Sequence, residues 1–449
     1  MLLNSIPPFF KTRRDALMKK VEAEGAAFVF PAARERLRNP DVTFPFRQES
    51  NFFYLTGFEE PEAYLVIAPT GGSAGRGSSQ STLFVRKRDP VMEIWEGERY
   101  GIEGALKVFG VDQAFLHEEF EKKLPELLKS AEKVYYRAHL DEEEDRTVMR
   151  ALESLRRSQG RSGKSLLPIA DPNSVLASMR VVKSAEEIQQ MKRACDISAA
   201  THKATMAEAR PGVNEFEIEA FIDYQFRKQG SQRVGYGSIV AGGKNACCLH
   251  YRANNEVLRD GDLLLVDAGA EFNYYTSDIT RTYPIGKKFS KPQAAIYDLV
   301  LKAQLECIAM AKPGATQAAI HRRASEILVE GALSLGLLKG KTDEIISSGG
   351  VKRFYPHGTG HWLGMDVHDI GLYQMNSGTG AAEPRKVEAG MMFTIEPGFY
   401  IQPNDMDAPA EYRGIGIRIE DDILITAGGC EVMTAGVPKT REEIEALKH

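Results

Sequence analysis

A chain of 449 residues, 43% hydrophobic and 27% charged, carries ample core for two or three domains and has the composition of an ordinary soluble globular protein. Its formal net charge of −5 gives no electrostatic reason to expect nucleic acid or an anionic membrane as partner, and no apolar run approaches the roughly 18 residues that span a bilayer. The five cysteines, Cys195, Cys247, Cys248, Cys307 and Cys430, are odd in number and lack CxxC spacing, which argues against a disulfide framework or a thiolate zinc site and for a reducing compartment.

The first twenty residues are apolar but interrupted by Pro7 and Pro8 and charged from Lys11 onward. That is a poor secretory h-region, so a cytoplasmic protein is expected. Residues 26–30 and 63–67 read as buried strands. The Gly/Ser-rich stretch 69–79 reads as a loop joining 65–68 to 82–85 in a hairpin. The acidic run 141–145 reads as the solvated start of a helix. Polar residues 156–164 and then Asp171-Pro172 set a boundary near 172, giving an N-terminal α/β domain over 1–172 and a second domain over 173–449.

The second domain repeats itself. Ser184-Ala185-Glu186-Glu187 is a capping-box pattern that opens a helix, and Pro211-Gly212 closes it. A further helix carries Ile218, Ile222 and Phe226 on one stripe. Ser290-Lys291-Pro292-Gln293 opens a second such pair, Pro313-Gly314 closes its first member, and Ile320, Ile327 and Leu328 mark the next helix. The offset is 314 − 212 = 102 residues, and Ile218 and Ile320 each lie six residues after their glycine. Two helices, a turn and an apolar register in agreement predict a duplicated α/β unit. Two such halves facing each other would bring distant motifs to one central site.

The strand-rich segments after each helix pair carry the chemistry. Asp267 ends the apolar run 263–266. Asp278 follows the aromatic stretch 272–275, which reads as a hairpin connection, and falls within 276–283, which reads as a strand, a setting depleted in Asp. His357-Gly358-Thr359-Gly360-His361 and then His368 place three of nine histidines within twelve positions, with glycines that argue against an HExxH helix; His250 is a fourth candidate. Glu396 ends an apolar strand closed by Pro397-Gly398. Arg418 and Glu420, two apart, share a strand face, as a salt bridge or, in a site, with Arg418 orienting Glu420 or stabilising charge on the substrate. Asp267, Asp278, His361, Glu396 and Glu420 together are four carboxylates and one imidazole, costly to bury without cations. Two divalent ions would balance four negative charges, and an oxygen-rich set with one nitrogen suits Mn²⁺-type ions better than a structural zinc. Two ions about 3.5–4 Å apart can share a hydroxide and polarise a carbonyl, which is hydrolysis chemistry.

The run VDAG, SDITRT, HGTGHWLGMDVHD, TIEPGFY and GIGIRIEDD resembles the pita-bread metallopeptidases, and among them the Xaa-Pro aminopeptidase (aminopeptidase P) family. The likeness covers residues from about 173 to the end. Residues 46–50, 54–58 and 93–95 resemble that family's first domain. The resemblance implies an α+β chain: a C-terminal pita-bread (creatinase/aminopeptidase) fold with pseudo-twofold duplication, preceded by a smaller mixed α/β domain. It implies that Asp278 and Glu420 bridge two divalent ions, with Asp267 completing one and His361 with Glu396 the other. Mn²⁺ is favoured, while Co²⁺, Fe²⁺ and Zn²⁺ stay open. It implies that Glu396 takes the proton from the attacking water and that His250, His357 and His368 bind substrate, His368 at the oxyanion and His357 on the prolyl side. Tyr400 and Arg418 match a polar pair that positions the site, and Trp95 a first-domain residue that closes a neighbouring subunit's pocket. The implied activity is release of the N-terminal residue from peptides with proline second, by a homodimer or homotetramer. Prolidase, which shares the scaffold but prefers Xaa-Pro dipeptides, and a non-enzymatic pita-bread binding protein are the competing readings. Segments 410–416 and 432–445 look more like aminopeptidase P, and none of the ligands that binding proteins of this fold lose is missing.

Overall fold

The apolar run AAFVFP forms a strand, Ala26–Pro31, buried at its first five positions. In this computed structural model, which describes residues 5–71, 78–160, 165–376 and 382–448, that strand sits inside a six-stranded mixed sheet. It pairs antiparallel with Tyr64–Thr70 and parallel with Lys133–Tyr135. Tyr64–Thr70 pairs in turn with Ser78–Val85, the hairpin expected from the Gly/Ser-rich loop; positions 72–77 of that loop and 161–164 of the polar stretch lie outside the described residues. Phe120, Leu124, Val148, Leu152 and Leu155 pack on Val29, Val66 and Phe84 in one core.

Asp141 caps the helix Glu142–Ser158 by accepting from the amides of Glu143 and Glu144, so the acidic run is a helix start. It is not wholly solvated, however. Glu144 is 4% exposed, held by Arg34 at 2.6 Å and by the Tyr64 hydroxyl. A carboxylate turned inward needs such partners.

By contact density the chain divides between Leu176 and Ala177 into two compact units. In the second unit the duplication is visible element by element. Helices Ala185–Glu208 and Lys291–Met310 both begin with a complete capping box, from Ser184 with Glu187 and from Ser290 with Gln293. Each is followed by a turn whose glycine has positive φ, +90° at Gly212 and +88° at Gly314, a conformation that glycine adopts without steric cost. The next helices, Glu215–Lys228 and Gln317–Ser334, are capped by Asn214 and Thr316, again 316 − 214 = 102 apart. Ile218, Ile222 and Phe226 on one, and Ile320, Ile327 and Leu328 on the other, enter a single hydrophobic core.

Each half then supplies a three-stranded antiparallel sheet. In one, Leu263–Asp267 lies between Ile239–Gly242 and Thr280–Pro284. In the other, Asp421–Ile425 lies between Met392–Ile395 and Cys430–Val432. The equivalence places the acids: Asp267 ends one strand as Glu396 follows another, and Asp278 precedes Thr280–Pro284 as Glu420 precedes Asp421–Ile425. The register Asp267↔Thr280 and Ile395↔Asp421 puts both acid pairs at corresponding strand ends. Among the described residues, no helix is long and apolar enough to cross a membrane.

If the two helix stripes are equivalent in energy as in geometry, Ile218→Ala and Ile320→Ala should each lower the unfolding free energy by about 2–5 kcal/mol. Denaturant melts check this, and a loss well under 1 kcal/mol at either position would contradict the shared core.

Candidate metal centre

The strand ends of both sheets open onto one cavity of about 310 Å³, lined by His250, Asp267, Asp278, His357, His361, His368, Glu396, Arg418 and Glu420, with Leu249, Gly358 and Gly360. Donor atoms of Asp278, His361 and Glu420 all lie within 4.8 Å of one another. The His361 Nε2 is 3.3 Å from Asp278 Oδ2 and 3.7 Å from Glu396 Oε1. Its other nitrogen, Nδ1, lies 3.1 Å from the Trp362 carbonyl. A carbonyl only accepts, so Nδ1 carries a proton, and Nε2 is the nitrogen turned to the acids, where a bound metal would displace its proton and take the lone pair.

Asp278 does not lie in a strand. The strand expected over 276–283 is broken at 277–279, between Tyr275–Thr276 and Thr280–Pro284, because the Asp278 amide leaves the ladder to donate to the Asp422 carboxylate at 3.1 and 3.2 Å. The preceding aromatic stretch is the expected hairpin connection, turning at Asn273 and Tyr274. Nor does Arg418 pair directly with Glu420. It donates from Nη2 to Asp267 at 2.6 Å, from Nη1 to the Tyr400 hydroxyl at 3.0 Å and from Nε to Thr280 Oγ1 at 3.0 Å. Thr280 then donates to Glu420 Oε2 at 2.6 Å. The guanidinium therefore reaches Glu420 through a hydroxyl, and its own partner is an acid from the other sheet.

A second relay orients His357. Its Nδ1 donates to the Gly358 carbonyl at 2.7 Å, so its Nε2 accepts from Tyr400, 2.9 Å away. The His368 ring sits with its centroid 4.2 Å from that of His361, and His250 lines the same wall. Trp95 lies in the first unit, on the short helix Pro90–Glu96, which has no buried residue; its side chain is 82% exposed.

Sequence reading missed Tyr236. Its hydroxyl lies 2.6 Å from Asp267 Oδ1 and 2.5 Å from Asp278 Oδ1, joining the two acids of one sheet. The available signal was Gly235-Tyr236-Gly237, an aromatic framed by small residues in the manner of the histidine loop. Thr280, Thr394 and Asp422 were also passed over. Thr394 accepts from the His361 amide at 3.1 Å and lies 3.4 Å from Glu396 Oε1. Hydroxyls are too common in strands to stand out in a sequence.

Charge is crowded here. Burial, then the Asp267 charge, raises the Asp278 pKa. Burial pushes Glu396 up to about 7, against the pull of His361 and Arg418. Burial and the neighbouring acids raise Glu420 well above the usual carboxylate range. Burial opposes charge on His361, but its hydrogen bond to Asp278 and the nearby acids overcome it and raise its pKa to about 9. Burial and then the Arg418 charge depress His357 to about 3, so it is neutral near pH 7. Acids raised by burial and by one another, beside an imidazole that they hold protonated, form a donor set short of positive charge. Divalent cations with oxygen and nitrogen ligands fit that deficit.

The comparisons agree with this geometry. Residues 189–427 match metallopeptidase family M24, and residues 10–135 match the aminopeptidase P N-terminal domain. The chain belongs to metallopeptidase family M24. Membership makes it a hydrolase that works with divalent metal ions, and its second unit the pita-bread catalytic fold. An Escherichia coli (strain K12) Xaa-Pro aminopeptidase is 42% identical over 438 residues, 98% of this chain and 97% of the relative. Human Xaa-Pro aminopeptidase 3 is 34% identical over 417 residues, 91% and 78% of the two chains. Among solved structures, Pseudomonas aeruginosa aminopeptidase PepP superposes with a TM-score of 0.91 at 42% identity, covering 99% of both chains. A variant of E. coli aminopeptidase P in complex with substrate gives 0.92 at 40% identity, covering 99% of this chain and 98% of that one.

The crowding predicts a pH effect on the ion-free protein. Glu396 and His361 have folded pKa values of about 7 and about 9, both above their unfolded values, so the folded state holds more protons and loses stability as pH rises. His357 and His202, depressed to about 3 and about 4, work in the opposite direction but only below about pH 6.5. Lys448, lowered to about 8, adds stability only above that pH. Chelator-treated protein should therefore show a falling Tm from about pH 6.5 to 8, and divalent metal should suppress the fall. A flat or rising Tm in that window would contradict it.

Proposed function

We propose that this chain releases the N-terminal residue from peptides with proline at the second position, using two divalent ions held by Asp267, Asp278, His361, Glu396 and Glu420. The observation that carries the proposal is the convergence of these five side chains on one cavity, in a chain similar over 98% of its length to a bacterial Xaa-Pro aminopeptidase. Asp278 and Glu420, whose donor atoms cluster with that of His361, would be shared by the two ions, Asp267 would hold one, and His361 with Glu396 would hold the other. The native ion is assigned as Mn²⁺, by the oxygen-rich donor set. Bound divalent ions supply an activated water near neutral pH and polarisation of the scissile carbonyl.

The remaining work falls to the chain's own groups. An Xaa–Pro bond is a tertiary amide without an N–H, so no backbone donor of the scissile bond is available for binding. Glu396, which lines the cavity beside His361 and Thr394, is placed to take a proton at a carboxylate oxygen and return it to the prolyl nitrogen as that nitrogen leaves. His357 stays neutral, its Nε2 accepting from Tyr400, and forms the prolyl side of the pocket. His368 and His250, which line the same cavity, meet the substrate there, His368 at the carbonyl oxygen where negative charge grows. Arg418, tied to Asp267, Tyr400 and Thr280, fixes the acids and the Tyr400–His357 pair together. The free amino terminus binds among the carboxylates and limits cutting to the first bond.

Trp95, exposed on a helix with no buried residue, is assigned to a neighbouring subunit's pocket in a homodimer or homotetramer. The cysteine usage supports a cytoplasmic setting.

The test is hydrolysis of an Xaa-Pro-Yaa tripeptide beside the matching Xaa-Pro dipeptide, each with Mn²⁺ and with chelator. Faster Mn²⁺-dependent cleavage of the tripeptide, releasing its first residue, is expected. Preference for the dipeptide would move the assignment to prolidase, and undiminished cleavage after thorough chelation would overturn the metal assignment.

A further inference from the structure

Behind the histidine wall of the cavity lies a group of charges that the reaction does not use directly. Arg180, at the end of the helix Asn173–Arg180, donates from Nη2 to Asp366 Oδ2 at 2.9 Å and also to Asp369 Oδ1. Lys183 Nζ donates to the other oxygen of Asp369 at 3.1 Å. The side chains of Arg180, Lys183 and Asp369 are 2%, 1% and 1% exposed. Burying two cations with their acids costs desolvation that well-packed apolar residues would avoid, so such a cluster is weak evidence of a role in stability. What it adds is direction. Two cations from different points of one segment grip both oxygens of Asp369, so that carboxylate cannot turn.

Asp369 is the residue after His368, and everything around it fixes the backbone there. Its amide donates to the Trp362 carbonyl at 2.9 Å, closing the loop 362–369 on itself. Trp362 bridges Phe393 in the strand that leads to Glu396. Within the loop, Gly364 donates to the Asp366 carbonyl at 3.2 Å and accepts from Thr276 at 2.9 Å. A Cβ on Gly364 would stand 2.0 Å from Asp369 Oδ2 and 3.0 Å from Lys183 Nζ, so only glycine clears the ion pair. Lys183 is itself tied through its amide to the Gly390 carbonyl at 2.8 Å, in the turn before the strand Met392–Ile395. His368 is the exposed member of this immobilised loop, beside His361 on the cavity wall.

We infer that the quartet of Arg180, Lys183 and Asp369, all buried, with the half-buried Asp366 is a positioning device for His368. It sets the angle at which that imidazole meets the substrate carbonyl. The inference rests on the reading that His368 contacts substrate, and the test separates the two.

The experiment measures tripeptide hydrolysis by full-length, Mn²⁺-loaded protein carrying His368→Ala, Asp369→Asn, Arg180→Lys and the doubles with His368→Ala. Metal content and Tm are recorded for each. Arg180→Lys keeps the charge but loses the guanidinium fork, and it stands in if Asp369→Asn does not fold. Each single variant is expected to lose roughly 10–100-fold in kcat/KM, as a displaced contact does, with the loss in kcat and metal content unchanged. In the His368→Ala background, the Asp369 or Arg180 change should add less than about twofold, because both act through the same imidazole. Losses that multiply in the double variants, or an Asp369→Asn enzyme of full activity, would overturn the inference and leave the quartet a structural clasp. Full activity in His368→Ala alone would overturn the reading of His368 itself and the inference with it.

Discussion

Mutual repulsion among four acids, three of them buried and Glu396 largely so, is the constraint on which the rest of this structure depends. Asp267, Asp278, Glu396 and Glu420 converge on one cavity, and at an effective dielectric of about 20 each pair of like charges about 4 Å apart costs about 4 kcal/mol. Among the described residues lining that cavity, Arg418 is the one Lys or Arg side chain. Burial, with the neighbouring acids adding to it, raises Glu420 well beyond the usual range, and burial raises Glu396 to about 7 even against the pull of His361 and Arg418. Two divalent cations remove the conflict, and the chemistry then follows from the same charges that demanded them.

The fold holds these acids by using one solution twice. A helix pair joined by a glycine turn recurs, with the turn glycines and the caps of the second helices 102 residues apart, and each copy is followed by a three-stranded sheet that presents one acid at the end of one strand and one just before another. Links then run between the copies: Arg418 reaches Asp267, Thr280 reaches Glu420, and Asp422 takes the Asp278 amide. Asp267 and Glu420 thus each take a donor from the opposite half and Asp278 gives its amide to one, while Tyr236 and Thr394 hold Asp267, Asp278 and Glu396 from within their own halves.

Much of this was legible in the sequence because periodic and chemical signals agreed. The capping boxes at Ser184 and Ser290, the paired Pro-Gly stops and the stripes through Ile218 and Ile320 are local features, and all are seen in the structure. The candidate residues of the second unit could be chosen because acids at the ends of apolar strands, and histidines between glycines, violate local preference. Other features were hidden for physical reasons. The break at Asp278 depends on Asp422, 144 residues away, and no local signal announces an amide leaving its ladder. Arg418 was read against Glu420 because the two are neighbours in sequence, whereas its carboxylate is Asp267, which only the folded sheets bring near. Tyr236 joins two acids through one hydroxyl, a role that composition does not reveal. Glu144 belongs to a charge run that reads as solvated, yet it turns inward because Arg34 and Tyr64, far away in sequence, wait for it.

The central claim is that charge deficit in this cavity is met by two ions, and counting them tests it most directly. Ion-free protein titrated with Mn²⁺ and crystallised for anomalous scattering should show two ions per chain, roughly 3.5–4 Å apart, with Asp278 and Glu420 touching both. One ion at full occupancy, or two ions bound away from these carboxylates, would contradict the account.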